Sequence, residues 1–235
     1  MGKYDVLKEA CFQANIQLPK LGLVLFTFGN VSAADQREGV FAIKPSGVPY
    51  DQLRPSDMVV VDLDGEVVEG KLNPSTDTKT HAVLYRHWKV LGGIAHTHST
   101  YAVAWAQAQK DIPVFGTTHA DHCSRDIPCV PLMAEDLIQA DYERETGNQI
   151  VKYFLESGMD PADIEMTLVA NHGPFTWSKN PEKAVYNSAV LEEIARIAYL
   201  TLSINPSAPL LPKSLIDKHY NRKHGRDAYY GQKGL

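Results

Sequence analysis

GGIAHTHSTYAVAWAQAQ, residues 92–109, is the stretch on which the reading of this chain turns. GGIAHTH (92–98) reads as a strand, and Ser99 is placed to cap a helix carrying YAVAWAQAQ. Side chains of a strand alternate between its faces, so His96 and His98 are expected on the same side. Two imidazoles that close together suit a divalent metal. A catalytic zinc site takes typically three protein ligands and leaves one position open.

Just upstream, NPSTDT opens a helix running to about Trp88, with Thr80, Val83/Leu84 and His87/Trp88 at helical spacing. Asp77 stands at its start. Further back, 3–18 reads as an amphipathic helix stopped before Pro19, and LGLVLFTF (21–28) as a buried strand ending in Gly29-Asn30. Residues 41–43 and 58–62 are strands separated by turns such as KPSGVPYD, and Asp64-Gly65 before EVVEG is a hairpin turn. Downstream, 145–157 is helical, 166–170 is a strand, and His172 stands at its end before Gly173-Pro174, which turns the chain. A long helix follows, capped by Asn180 with Pro181 in its first turn and Leu191, Ile194, Ala195, Ala198 and Leu202 along one face. Residues 206–212 resemble a linker to a basic segment, LIDKHYNRKHGRDAYYGQK.

Composition bounds the function. The 235 residues suffice for a sizeable core, and without a repeat or composition break we expect a single domain over 1–235 with a C-terminal arm at about 213–235. Hydrophobic residues at 44% and charged ones at 22% exclude fibrous and disordered classes. With 23 Lys+Arg against 28 Asp+Glu, the net charge of −5 argues against a nucleic-acid partner. Three cysteines without a CxxC point to a reducing compartment. No apolar run approaches the ~20 residues a bilayer demands, and the first residues lack a signal peptide's apolar block. The expectation is a soluble cytoplasmic protein without a membrane partner. Its one oddity is nine histidines outside any His-rich tract.

His172 is the candidate third ligand beside His96 and His98, with Asp77 as a carboxylate donor. Each has a structural alternative: polar residues recur on strands, an acid near a helix N-terminus is favoured by the helix dipole, and a histidine in a turn can simply hydrogen-bond. Strand ends beside Gly-containing turns are where sites gather on layered folds.

A set of motifs sharpens this: GNVS (29–32), KPSG (44–47), PSTDT (74–78), HTHS (96–99), GTTHAD (116–121), HGPF (172–175) and KHYNRKHG…AYYGQ. Together, from about residue 5 to 232, they resemble the L-ribulose-5-phosphate 4-epimerases of the class II aldolase/epimerase superfamily. Strand–helix alternation by itself suggests a parallel sheet. The resemblance implies instead an α/β chain, a single three-layer α/β/α domain around a mainly antiparallel sheet, assembled as a homotetramer with sites between subunits. It implies Zn2+, with Mn2+ or Co2+ as substitutes, on His96, His98 and His172, with Asp77 at the metal. It makes Asp121 and Tyr230 the two proton-transfer groups, Tyr229 competing with Tyr230, and His219 an accessory.

The reaction so implied inverts carbon 4 of a pentulose 5-phosphate, interconverting L-ribulose 5-phosphate and D-xylulose 5-phosphate. Carbon 4 is not acidic, so the C3–C4 bond is cut and re-formed after the aldehyde has turned over. Arabinose or L-ascorbate degradation would supply the substrate. Gly29-Asn30, Ser46-Gly47 and Ser75-Thr76 match the substrate-contacting turns, where backbone amides can bind the phosphate, with Lys44 and, from a neighbouring arm, Arg222. Thr76 stands where a second Ser is usual, and His122-Cys123-Ser124-Arg125 replaces aromatics after HAD. The alternative is a class II aldolase acting on a ketose 1-phosphate, where the metal-site acid is typically a Glu; Asp77 and the Asp121/Tyr230 pair argue against it. A non-catalytic adducin-like domain would have lost the histidines.

Overall fold

In a computed structural model, which describes residues 2–226 and 228–229, the chain is built on an eight-stranded sheet. The helices are α1 (Asp5–Asn15), α2 (Gln17–Lys20), α3 (Thr78–His87), α4 (Thr100–Gln107), α5 (Thr117–Ala120), α6 (Glu135–Glu156), α7 (Pro181–Ile204) and α8 (Lys213–His224). The strands are β1 (Asn30–Asp35), β2 (Val40–Ile43), β3 (Val59–Asp62), β4 (Val67–Glu69), β5 (Gly93–His96), β6 (Cys129–Val130), β7 (Met166–Val169) and β8 (Gly173–Ser178). Their order is β4-β3-β2-β1-β5-β8-β7-β6, and only the edge pair β6–β7 is parallel. Alternation of elements thus misleads about strand direction, and the antiparallel sheet is the one found.

Burial explains the three layers. Ile43, Val59, Val61, Ile94, Phe175 and Trp177 project toward α3 and α6 and pack on Val83, Leu84, Ile150 and Phe154. Trp88, Phe154 and Trp177 form a triangle there with ring centroids 4.9–5.3 Å apart, a geometry worth about 0.5–1.5 kcal/mol per pair beyond area burial. On the opposite face, Val31 and Ala95 pack on Ala14, Leu18 and Ala184, while Met166 and Leu168 meet Ala102, Leu191, Ile194 and Ala198. β1 therefore turns Val31 and Ala33 toward α1 and leaves Asn30 and Ser32 for the α3 side, beside His96.

The expected strand over 21–28 is absent. Left-handed backbone at Gly22 (φ +69°) and Phe26 (φ +52°) breaks the extended run, and Leu25, Phe26 and Phe28 are exposed. Tyr50 pins the loop's end by donating to the Phe28 and Gly29 carbonyls at 2.9 and 3.0 Å. The N-terminal helix is broken into α1 and α2, and Pro19 sits inside α2. The sharp turn falls at 170–172, where Asn171 has φ +59°, so Gly173-Pro174 opens β8 instead of bending the chain. α7 begins as expected, with Asn180 Oδ1 accepting from the Lys183 amide at 2.8 Å. Ser99 does stand at the N-cap of α4 but makes no side-chain cap there. Glu192 of α7 does that work: its carboxylate accepts from the Tyr101 and Ala102 amides, each at 2.9 Å.

Candidate active site

β5 ends at His96, and the next three residues leave the sheet before α4 begins. His98 is therefore off the strand, yet its ring meets that of His96 with centroids 4.9 Å apart. The β7–β8 turn brings His172 to within 4.7 Å of His96 and 5.6 Å of His98, centroid to centroid. One ligand nitrogen from each of the three lies within 4.8 Å of the others. Nε2 of His96 and Nε2 of His98 are 3.0 Å apart.

The surroundings prepare these nitrogens to act as ligands. Nδ1 of His96 donates to the Pro174 carbonyl at 2.9 Å, which leaves the Nε2 lone pair facing the cluster. Phe175 stacks on the same ring at 4.2 Å, and the Tyr142 hydroxyl meets His172 Nδ1 at 3.2 Å. Burial, reinforced by the His96 ring, pushes His172 down to about 3 and lowers His98 as well. Neutral imidazoles are the form that binds a metal. Three converging nitrogens with an outer hydrogen bond on His96 fit a divalent cation.

Asp77, the N-cap of α3, stands beside this trio rather than within it. Burial opposes its ionisation, but His96, His81 and His172 together with the Asn30 amide outweigh that cost and hold the carboxyl below its usual range. Asn30 Nδ2 donates to Asp77 Oδ2 at 2.7 Å and to Ser75 Oγ at 3.1 Å.

These groups line a pocket of about 530 Å³, within the ordinary size of small-ligand sites. Of the residues expected from sequence, it gathers Gly29, Asn30, Lys44, Ser46, Gly47, Ser75, Thr76, Asp77, His96, His98 and His172. Gly29 (φ +73°) has no room for a side chain: a Cβ there would stand 2.8 Å from the His96 carbonyl oxygen. Gly47 (φ +70°) occupies the same left-handed region. Lys44 is buried under the turns, its ammonium 3.3 Å from the Thr27 carbonyl and 4.8 Å from the Tyr50 ring centroid, and burial brings it down to about 8. Tyr142 and Glu143 also line the pocket, from the point where α6 is kinked at Asp141 (φ −140°, ψ 78°).

Asp121 and Arg222 lie outside that pocket. Asp121 follows α5 and is gripped by α8: Arg222 donates from Nε to Oδ1 at 2.9 Å and from its terminal nitrogen to Oδ2 at 2.5 Å, and His219 Nδ1 is 3.0 Å from Oδ1. His224 Nε2 meets the Asp121 carbonyl at 3.0 Å. Partial burial works against the charge on Asp121, but the bonds from Arg222 and His219 prevail and hold the carboxyl below its usual range. His122, where the motif departs, packs 5.8 Å from the Tyr186 ring, and burial beside Lys223 and Lys183 pushes it down to about 4. Tyr230 lies outside the described residues.

The chain is an α/β/α sandwich on a mainly antiparallel sheet, with three histidines converging at the end of its central strands, and this is the class II aldolase fold. The chain belongs to the family described as Class II Aldolase and Adducin N-terminal domain, which it matches over residues 9–199. It is 50% identical over 227 residues to L-ribulose-5-phosphate 4-epimerase UlaF of Salmonella paratyphi B, covering 97% of this chain and 99% of the relative. The same identity and coverage hold for the protein of that name from Salmonella typhi. Among solved structures, an L-fuculose 1-phosphate aldolase superposes with a TM-score of 0.76 at 23% identity, over 92% of this chain and 95% of the other. The L-fuculose-1-phosphate aldolase of Thermus thermophilus gives 0.64 at 24% identity, over 87% and 98%. At such identities the two aldolases speak for the fold alone. No described helix is long and apolar enough to cross a membrane.

Proposed function

We propose that this chain is a metal-dependent epimerase that interconverts L-ribulose 5-phosphate and D-xylulose 5-phosphate. The near-full-length 50% identity to relatives named for that activity carries the reading. We read the chain as one cytoplasmic domain, 1–235, with an arm at about 213–235, working as a homotetramer. Zn2+ is the metal proposed for His96, His98 and His172, with Asp77 beside them. A bound divalent cation supplies Lewis acidity to the substrate carbonyl, worth several kcal/mol against the charge that develops when C3–C4 breaks.

The residues of the chain divide the remaining work. Gly29-Asn30, Ser46-Gly47 and Ser75-Thr76, which line the pocket, are assigned to the 5-phosphate, and Lys44 below them supplies positive charge in a chain that is negative overall. A base removes the proton from the C4 hydroxyl. The C3–C4 bond then breaks, its electron pair passes into the enediolate, and glycolaldehyde phosphate forms. After the aldehyde turns over, C3 attacks its other face and an acid on that face protonates the new C4 oxygen. Inversion therefore needs a proton-transfer group on each side, each worth roughly a hundred- to ten-thousand-fold. Asp121 and Tyr230 are assigned to them. With Asp121 outside the histidine pocket of its own chain, the assignment has Asp121 serve the pocket of a neighbouring copy.

The test is turnover of L-ribulose 5-phosphate by the metal-reconstituted protein, read by coupled detection of D-xylulose 5-phosphate. Epimerisation with Zn2+, Mn2+ or Co2+ is the expected result. No turnover with any of them, or cleavage of a ketose 1-phosphate in its place, contradicts it.

A further inference from the structure

The family resemblance makes Arg222 a phosphate ligand, but its guanidinium lies fork-on against the Asp121 carboxylate. An ionised carboxylate has about four lone-pair sites, two on each oxygen. Oδ1 has both of its sites filled, by Arg222 Nε at 2.9 Å and His219 Nδ1 at 3.0 Å. Oδ2 accepts one bond among the described residues, from the terminal nitrogen of Arg222 at 2.5 Å. Lys223 Nζ, at 3.7 Å from Oδ2, is too distant for a hydrogen bond. All three basic groups come from α8, and His122 is the titratable neighbour along the chain. A bidentate Arg–carboxylate pair fixes orientation as well as charge.

We propose that Arg222 is the positioning residue of Asp121: its fork fixes the carboxylate in plane, His219 completes Oδ1, and the proton Asp121 exchanges with the substrate's C4 oxygen is carried on Oδ2. The inference rests on the epimerase reading, which makes Asp121 a proton-transfer group. It assigns the arm a second task. α8 presents the acid–base carboxylate in one orientation, so a proton transfer that depends on direction loses little to rotation of the side chain.

Arg222→Lys keeps the charge and loses the fork, whereas Arg222→Ala loses both. Each is expected to lower kcat about ten- to a hundredfold while KM moves less than about threefold. Guanidinium ion in solution should restore part of the Arg222→Ala loss. His219→Asn, which leaves the fork in place, should cost several-fold less than Arg222→Ala. In the substrate-free protein, the Asp121 carboxyl carbon followed by NMR should titrate at higher pH in Arg222→Ala than in the wild type. A raised KM with unchanged kcat makes Arg222 a phosphate ligand and overturns the proposal. So does a His219→Asn loss equal to that of Arg222→Ala, which would move the proton to the Oδ1 side. An unchanged Asp121 titration in Arg222→Ala overturns the clamp whatever the turnover. A wild type without epimerase activity overturns the functional reading alone, because the titration still reads the clamp.

Discussion

Asn30, the first residue of β1, donates to the carboxylate of Asp77, the N-cap of α3, at 2.7 Å. That bond ties the sheet to the helix layer at the rim of the histidine pocket and leaves Asp77 Oδ2 in one orientation. Asn30→Leu is expected to free the carboxylate and weaken metal binding by about ten- to a hundredfold, the usual cost of removing a hydrogen bond behind a metal-site group. Competition against a chelating dye measures it, and unchanged affinity would remove Asp77 from the metal's surroundings.

Gly29 precedes that asparagine in a conformation other residues avoid. Gly29→Ala forces a Cβ to 2.8 Å from the His96 carbonyl oxygen and from Val24 Cγ1 at a φ of +73°. Backbone strain of this kind costs about 1–3 kcal/mol, and the strand end carrying His96 must give way. Urea unfolding should show the loss in stability, with metal stoichiometry falling alongside it.

Lys44 gives the pocket a pH dependence. Burial lowers it from 10.5 to about 8, so the cation that attracts phosphate is present below that pH and lost above it. KM for the sugar phosphate should therefore rise as pH climbs through about 8, and Lys44→Met should raise KM at pH 7 and flatten the profile. The unfolded chain holds this proton up to 10.5, so between about 8 and 10.5 the lysine's contribution to stability grows with pH. A KM profile unchanged by Lys44→Met would place the phosphate elsewhere.

Glu192 holds the helix that follows the HTHS motif. Glu192→Ala removes the acceptor for the Tyr101 and Ala102 amides and should cost about 1–2 kcal/mol in denaturant unfolding. The His96–His98 loop leads directly into that helix, so metal release should quicken as well.

Much of this architecture is legible in the residues, and the exceptions have physical causes. α3 and α7 follow their helical spacing, and α7 has the Asn-Pro start that marks a helix. β1 escapes the pattern because NVSAAD carries Asn30 and Ser32 on the face that builds the pocket, where they find partners in Asp77, His81 and Tyr85. β8 escapes it because Gly173-Pro174 looks like a turn, although Gly173 and Pro174 stand in register with Val169 and Leu168 of β7. The apolar run at 21–28 misleads in the other direction, since hydrophobicity does not report the two left-handed residues that break it. His96 and His172 are visible from their strand ends, whereas His98 reaches the cluster from beyond the end of β5 and not by the strand alternation its spacing suggests. Tyr142 and Glu143 are not, because a kink at Asp141 places them in the pocket and no local periodicity announces it. Arg222 is visible as a cation, but its partner is set by the packing of α8 on α5, far apart in sequence.

The separation of metal ligands from proton-transfer groups has its own signature. Asp121→Asn should depress epimerisation at least a hundredfold, the lower end of what a positioned acid–base group contributes, while bound metal stays at the wild-type level. His98→Asn should instead lower the metal stoichiometry. Metal analysis of both variants decides, and loss of metal in Asp121→Asn would contradict the division of roles.

The central claim is that carbon 4 is inverted by breaking and remaking its bond to carbon 3, with the C4 hydrogen untouched. Epimerisation of L-ribulose 5-phosphate by the metal-loaded protein in D2O, followed by NMR of the product, tests it most directly. The account predicts D-xylulose 5-phosphate that retains its original hydrogen at C4. Deuterium at C4 would mean proton abstraction at that carbon and would contradict the account.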